Sequence, residues 1–212
     1  MCGIAGLIHR GSTDSIGKEM TSMLQAMKHR GPDSTGFALY NEGRSKNKYV
    51  MRFKVAEGEE ARSGFEIQAQ MAERKKAVDA RLKELGVEVE KKKSVTEYAF
   101  RYELKFSGDL RELASYVEDI DNVEILSIGH ALELVKDLGD AGAVAKQYSL
   151  NKFKGTHAIG HTRMATESDV DIRSAHPYWA YPFSDVSVVH NGQLTNYWTM
   201  RREMERRGHR FT

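Results

Sequence analysis

The only cysteine of this 212-residue chain stands at position 2, behind an initiator methionine and ahead of the small and apolar run Gly3-Ile4-Ala5-Gly6-Leu7-Ile8. A small side chain at position 2 permits removal of Met1, which leaves Cys2 with a thiol and a free amine on one residue. A thiol of pKa about 8.5 is only slightly ionised at neutral pH, whereas an α-amine of pKa about 7.7 to 8.0 is partly unprotonated there and can take the thiol proton. Nucleophile and base then share one residue, as in the nucleophile–amine pairs of some hydrolases. Such chemistry needs a terminus that is held still, and the residues after Cys2 predict a buried strand. Taken alone, a cysteine here is equally compatible with an ordinary frayed end.

Composition narrows the field. A chain of this length that is 40% hydrophobic can bury a core, either as one large domain or as a core with an inserted lobe. With 32 basic against 30 acidic residues, the net charge of +2 supplies no global field for nucleic acid or an anionic membrane. One cysteine excludes an intrachain disulfide and a cysteine-cluster zinc site, and no cofactor-binding glycine pattern or phosphate loop is present. Cys2 with His9 and His29 matches no usual metal spacing, so the reading contains neither metal nor cofactor. The N-terminus lacks a signal-peptide layout, and no apolar run approaches the roughly 20 residues that cross a bilayer. A reducing, cytoplasmic setting is expected.

Along the chain, Ile16, Met20, Met23, Leu24 and Met27 fall at helical spacing and predict a helix ending before Gly31-Pro32. From about residue 45 to 150 the composition shifts toward lysine and glutamate. A long helix through Ile67, Met71, Val78, Leu82 and Leu85 closes at Gly86. Tyr98 to Phe106 alternates as a half-buried strand, Leu110 to Val117 is a second helix, and Val123 to Leu126 another strand. Lys91-Lys92-Lys93, flanked by glutamates, predicts a solvated turn rather than a nucleic-acid patch. A strand through Thr156 to Arg163, a strand Val186 to His190 broken by Asn191-Gly192, and a helix from Thr195 to Gly208 follow.

Four stretches then make sense together. Met1-Cys2-Gly3-Ile4-Ala5-Gly6, Arg30-Gly31-Pro32-Asp33-Ser34-Thr35-Gly36, Gly160-His161-Thr162-Arg163-Met164-Ala165-Thr166 and His190-Asn191-Gly192 occur in that order. They resemble the signatures of the class II glutamine amidotransferase domain, one of the N-terminal nucleophile hydrolases. The resemblance implies an α+β fold, a four-layer α/β/β/α sandwich, with residues 1–44 and 151–212 as its core and 45–150 as an inserted α/β lobe. It implies a glutaminase: the Cys2 thiolate attacks the side-chain amide of glutamine, ammonia leaves, and water hydrolyses the thioester to glutamate. Asn191 and Gly192 match the donors to the oxyanion, and Arg163 the arginine that grips the substrate α-carboxylate with two hydrogen bonds. Thr166 and His176 match positions lining the glutamine pocket, and Arg30 and Gly31 a loop that buttresses the nucleophile.

Met164 stands where many members carry tryptophan, a variant resembling the glutamate-synthase type. Together with Gln193 it argues against the asparagine-synthetase branch. The implied role is a stand-alone subunit that makes ammonia for a separate synthase of the glutamate-synthase or N-methylglutamate-synthase type. The family also leads one to expect an aspartate for the substrate amine beyond the final helix. Since the chain stops at Thr212, a C-terminally incomplete core and weakened glutamine binding are expected. The alternative from another class is a catalytically weak scaffold or regulatory subunit that uses the same fold to dock a partner.

Overall fold

A computed structural model describes residues 2–58, 60–62, 65–164, 171–209 and 211, leaving aside the side chains of 62 and 65. The first elements are β1 (Gly3–Thr13), α1 (Ile16–Ala26), a 3₁₀ turn at Lys28–Arg30 and β2 (Ser34–Tyr40). Then come β3 (Lys48–Lys54), α2 (Phe65–Glu84), β4 (Glu88–Ser94), β5 (Ala99–Lys105), α3 (Leu110–Glu118) and β6 (Glu124–Gly129). They are followed by β7 (Leu132–Leu138), α4 (Ala141–Gln147), β8 (Gly155–Arg163), β9 (Tyr178–Trp179), β10 (Ser187–Val188) and α5 (Tyr197–Arg206).

The class is α+β. One four-stranded sheet has the order β1-β8-β2-β7, a second the order β4-β5-β3-β6, and β9 pairs with β10. All the pairings are antiparallel. β6 passes to β7 through His130 and Ala131, so the two sheets meet at β7. α1 and α4 pack on the first sheet, α2 and α3 on the second.

Local sequence explains most of these elements. Ile16, Met20 and Leu24 recur every fourth residue and are fully buried, while Met23 of the predicted stripe is exposed. α1 sits so close to β8 that a methyl group on Gly160 would lie 2.6 Å from Leu24 and 3.0 Å from the Met20 sulfur. Val78 and Leu82 of α2 are fully buried in one cluster with Phe53, Tyr102 and Leu104 of the second sheet. Gly86 ends that helix at φ +72°, a conformation other residues rarely adopt. One continuous buried cluster runs from α1 through both sheets to α3. Each large apolar side chain in it contributes about 1.5 to 3 kcal/mol.

Several expectations are corrected. β1 is an edge strand rather than a buried one, with Ile4 41% and Ile8 80% exposed. Lys91, Lys92 and Lys93 lie within β4 rather than in a turn, because β5 supplies the pairing that their own pattern does not suggest. The strand expected over Val186 to His190 is reduced to Ser187–Val188. β3, β7 and α4 were not anticipated. β7 falls inside the 45–150 segment yet hydrogen-bonds to β2, so the sheet built from the two ends of the chain takes its fourth strand from that segment. No helix among the described residues is long and apolar enough to cross a membrane.

Candidate active site

β1 and β8 set the register that brings the motifs together. Gly3 pairs with Thr162 and Ile4 with His161. A side chain on Gly3 would meet Thr162 Oγ1 and Met27, so that face of the pair looks toward α1. Alternation puts Cys2, Ile4, His161 and Arg163 on the opposite face. Gly36, directly across from His161 on β2, belongs to this face too: a methyl group there would strike the His176 carbonyl at 2.0 Å. Absence of a side chain at Gly36 is what lets the 176 segment lie on the sheet.

Cys2 is partly buried at the end of this face. Its Sγ accepts from the Met164 N–H at 3.5 Å and lies 3.8 Å from the Met164 carbonyl. Arg30 Nε donates to the Cys2 carbonyl at 3.4 Å. A methyl group on Gly31 would sit 2.6 Å from the carbonyl carbons of both Thr162 and Arg163. The Arg30-Gly31 loop therefore presses on both the Cys2 backbone and the end of β8.

Asn191 reaches the same face by a different route. His161 Nε2 lies 3.0 Å from Asn191 Oδ1, and His161 is the strand partner of Ile4, two residues or about 7 Å along β1 from Cys2. Gly192 follows at φ +144°, a backbone angle that favours glycine. Both residues are exposed. Arg163 is 7% exposed, opposite Ser34 on β2, and its carbonyl accepts from Asp33 N–H. The Ser34 hydroxyl beside it is buried and has no partner among the described residues. Thr166 lies outside the described residues.

The histidines here are held neutral. Burial lowers the His161 pKa, the Asn191 hydrogen bond opposes the shift and Arg163 reinforces it. Burial first, then the neighbouring His161, Lys136, His190 and Arg163, pushes His176 down to about 4. The His176 ring stands 4.8 Å from that of His161 and 4.4 Å, edge-on, from Tyr178. Sequence reading left His161 without a role because its partner lies 30 residues further along. The available signal was its position in β8, where alternation turns it onto the face shared with Cys2. Among the described residues, no group of three or more His, Cys, Asp or Glu side chains is arranged to hold a metal ion.

No family model matches the chain. It is similar to a Methanothermobacter thermautotrophicus protein whose provisional name is glutamine amidotransferase, with 38% identity over 215 residues, all of this chain and 67% of that protein. It is 32% identical over 211 residues to the glutamine amidotransferase-like protein GlxB of Rhizobium meliloti, covering 98% of this chain and 64% of that one. A shorter similarity, 37% over 92 residues, joins 43% of the chain to 15% of the glutamine–fructose-6-phosphate aminotransferase of Aeropyrum pernix. The chain spans about two thirds of the length of the first two relatives.

Proposed function

The chain belongs to the glutamine amidotransferase family, and from that premise we propose that Cys2 is the nucleophile of a glutaminase that supplies ammonia to a partner synthase. One observation carries the reading: Cys2, Arg163 and the His161–Asn191 pair share one end and one face of the β1/β8 pair.

With Met1 removed, the Cys2 amine takes the thiol proton and the thiolate attacks the carboxamide carbon of glutamine. The developing oxyanion is met by the Asn191 Nδ2–H and the Gly192 N–H, donors of a kind that each contribute about 2.7 to 4 kcal/mol to catalysis. Neutral His161 donates from Nε2 to Asn191 Oδ1, which turns the amide so that its own N–H groups point away from His161 and remain available for the substrate. The proton returns to the leaving nitrogen, ammonia departs, and water hydrolyses the thioester to glutamate. Arg163 binds the substrate α-carboxylate through its planar fork. Thr166 and His176 line the glutamine pocket, and Arg30 and Gly31 support the nucleophile.

The finer assignments belong to the same proposal. Met164 after Arg163 supports a synthase partner of the glutamate-synthase or N-methylglutamate-synthase type, and a lone reduced thiol suits a cytoplasmic setting. The first antiparallel sheet with α1 and α4 packed on it supplies one α/β half of the four-layer sandwich that this reading expects of an N-terminal nucleophile hydrolase. The inserted lobe of this reading is the second sheet with α2 and α3.

The test is Cys2→Ser combined with mass measurement of the mature N-terminus. Glutamine hydrolysis should be nearly abolished and Met1 should be absent from the parent protein. Activity within a few-fold of the parent, or retention of Met1 in active protein, overturns the assignment and leaves the scaffold alternative.

A further inference from the structure

The second sheet carries an arrangement of charge that works against its own stability. Lys93 of β4 lies directly across from Arg101 of β5, and Arg101 directly across from Arg52 of β3. Three cations thus stand abreast on three adjacent strands, and like charges opposed across a sheet are destabilising. One carboxylate, Glu133, lies between the two guanidinium groups. Arg52 donates to it from Nε at 2.9 Å and Nη2 at 2.7 Å, and Arg101 from Nε at 2.8 Å and Nη2 at 2.9 Å. Arg101 also reaches Glu103 at 2.6 Å. Arg52 is only 6% exposed, so little solvent is available to screen the row from that end.

The row forms one wall of a cleft of about 360 Å3. Lys91 extends that wall, and Lys152 and Lys154 of the segment after α4 stand on the other. Six cations line the space, and Glu133 is the one acidic lining residue among those described. Lys154 is paired with Asp14 at 2.8 Å, whereas no salt bridge joins Lys93 or Lys152 to a carboxylate among the described residues. Glu133 pairs with Leu39, which alternation puts on the face of the first sheet away from Gly36 and His161. The cleft and the candidate active site therefore lie on opposite faces of one sheet.

We propose that this cleft is a binding site for a small phosphorylated anion with two or more phosphate groups. Lysine ammonium groups on both walls supply the direct contacts, and the buried Arg52–Glu133–Arg101 cluster fixes the field behind them. The volume lies within the roughly 300 to 1,000 Å3 range typical of small-molecule sites. A diphosphate offers one charged group to the lysines of β4 and another to those of the segment 150–154, which a single phosphate does not. This inference does not depend on the glutaminase reading.

Calorimetric titration of the whole chain with inorganic pyrophosphate, orthophosphate and sulfate at matched ionic strength tests it. Saturable 1:1 binding of pyrophosphate is expected, about tenfold or more tighter than orthophosphate or sulfate. Lys93→Ala and Lys152→Ala, both at exposed positions on opposite walls, should each weaken it by about tenfold. Their hydrolytic activity without added anion should equal the parent's. Absence of saturable binding, equal affinity for the three anions, or binding indifferent to both substitutions overturns the proposal. So does displacement of pyrophosphate by a short single-stranded RNA at lower molar concentration, which would make the cleft part of an extended polyanion surface.

Discussion

The buried histidines on one face of the first sheet and the buried ion pairs where the second sheet meets β7 are in opposite electrical states. On the candidate active-site face of the first sheet, burial keeps His161 and His176 uncharged. Where the second sheet meets β7, the buried acids and bases are ionised. Burial alone would raise the Glu133 pKa, but Arg52 and Arg101 hold its carboxyl at about 2, and Lys136 and Lys54 do the same for Glu124. The difference follows from what each place can do. A neutral imidazole has one donor and one acceptor, so it can orient an amide. An ion surrounded by counter-ions is held in place and orients nothing beyond its partners. Lys136 joins the two regimes, with Nζ 3.0 Å from Glu124, 3.1 Å from the Arg173 carbonyl and 5.0 Å from the Tyr178 ring.

The contrast can be broken most directly at Glu133. Glu133→Gln leaves the buried Arg52 without its carboxylate and the half-buried Arg101 with Glu103 alone, and should lower stability by about 3 to 5 kcal/mol. Urea unfolding measures it, and a loss below about 1 kcal/mol would mean that the charged cluster is not a locked network. On the neutral side, Asn191→Ala should lower kcat by about two to three orders of magnitude, equivalent to roughly 2.7 to 4 kcal/mol. A change confined to KM in steady-state glutaminase assays would remove the oxyanion role and with it the reason for a neutral His161.

The smallest effect separates the regimes by pH. The folded-state pKa of His176 is about 4, below the value of about 6.5 for an exposed imidazole. The unfolded chain therefore takes up protons first as pH falls, so the histidine contribution is intact above about pH 6.5 and declines toward pH 4. Glu133 and Glu124, depressed to about 2, lose theirs only as pH drops below about 4.5. Between pH 6.5 and 4.5 the decline should be about 1 kcal/mol or less after solvent screening, and His176→Phe should flatten it. An unchanged slope in that variant would place the titration elsewhere.

What could be read from the sequence follows the same division. α1, α2, α3, β5 and α5 announce themselves through local periodicity, and Gly86 marks its helix end without help. β4 could not be read, because Glu88 to Ser94 has no apolar alternation and is a strand only by virtue of β5. β7 was hidden because Glu133, Lys136 and Asp137 look like surface residues until ion pairs and the Tyr98 and Tyr148 hydroxyls account for their burial. In the candidate site the motif residues were legible one by one. The link from His161 to Asn191 was not, since a hydrogen bond across 30 residues leaves no trace in spacing. The exposure of β1 escaped for a similar reason: composition tells how apolar a strand is, and only topology tells whether it lies at an edge.

Gly31 acts as a spacer of zero thickness between the 30–31 loop and the tip of β8, with Thr162 and Arg163 backbone atoms already where a methyl group would go. Any bulk added there must move either the strand tip, and with it the Met164 amide that holds the Cys2 sulfur, or the Arg30 side chain that holds the Cys2 carbonyl. The alignment of Cys2 is thus calibrated by a position that carries no functional group at all.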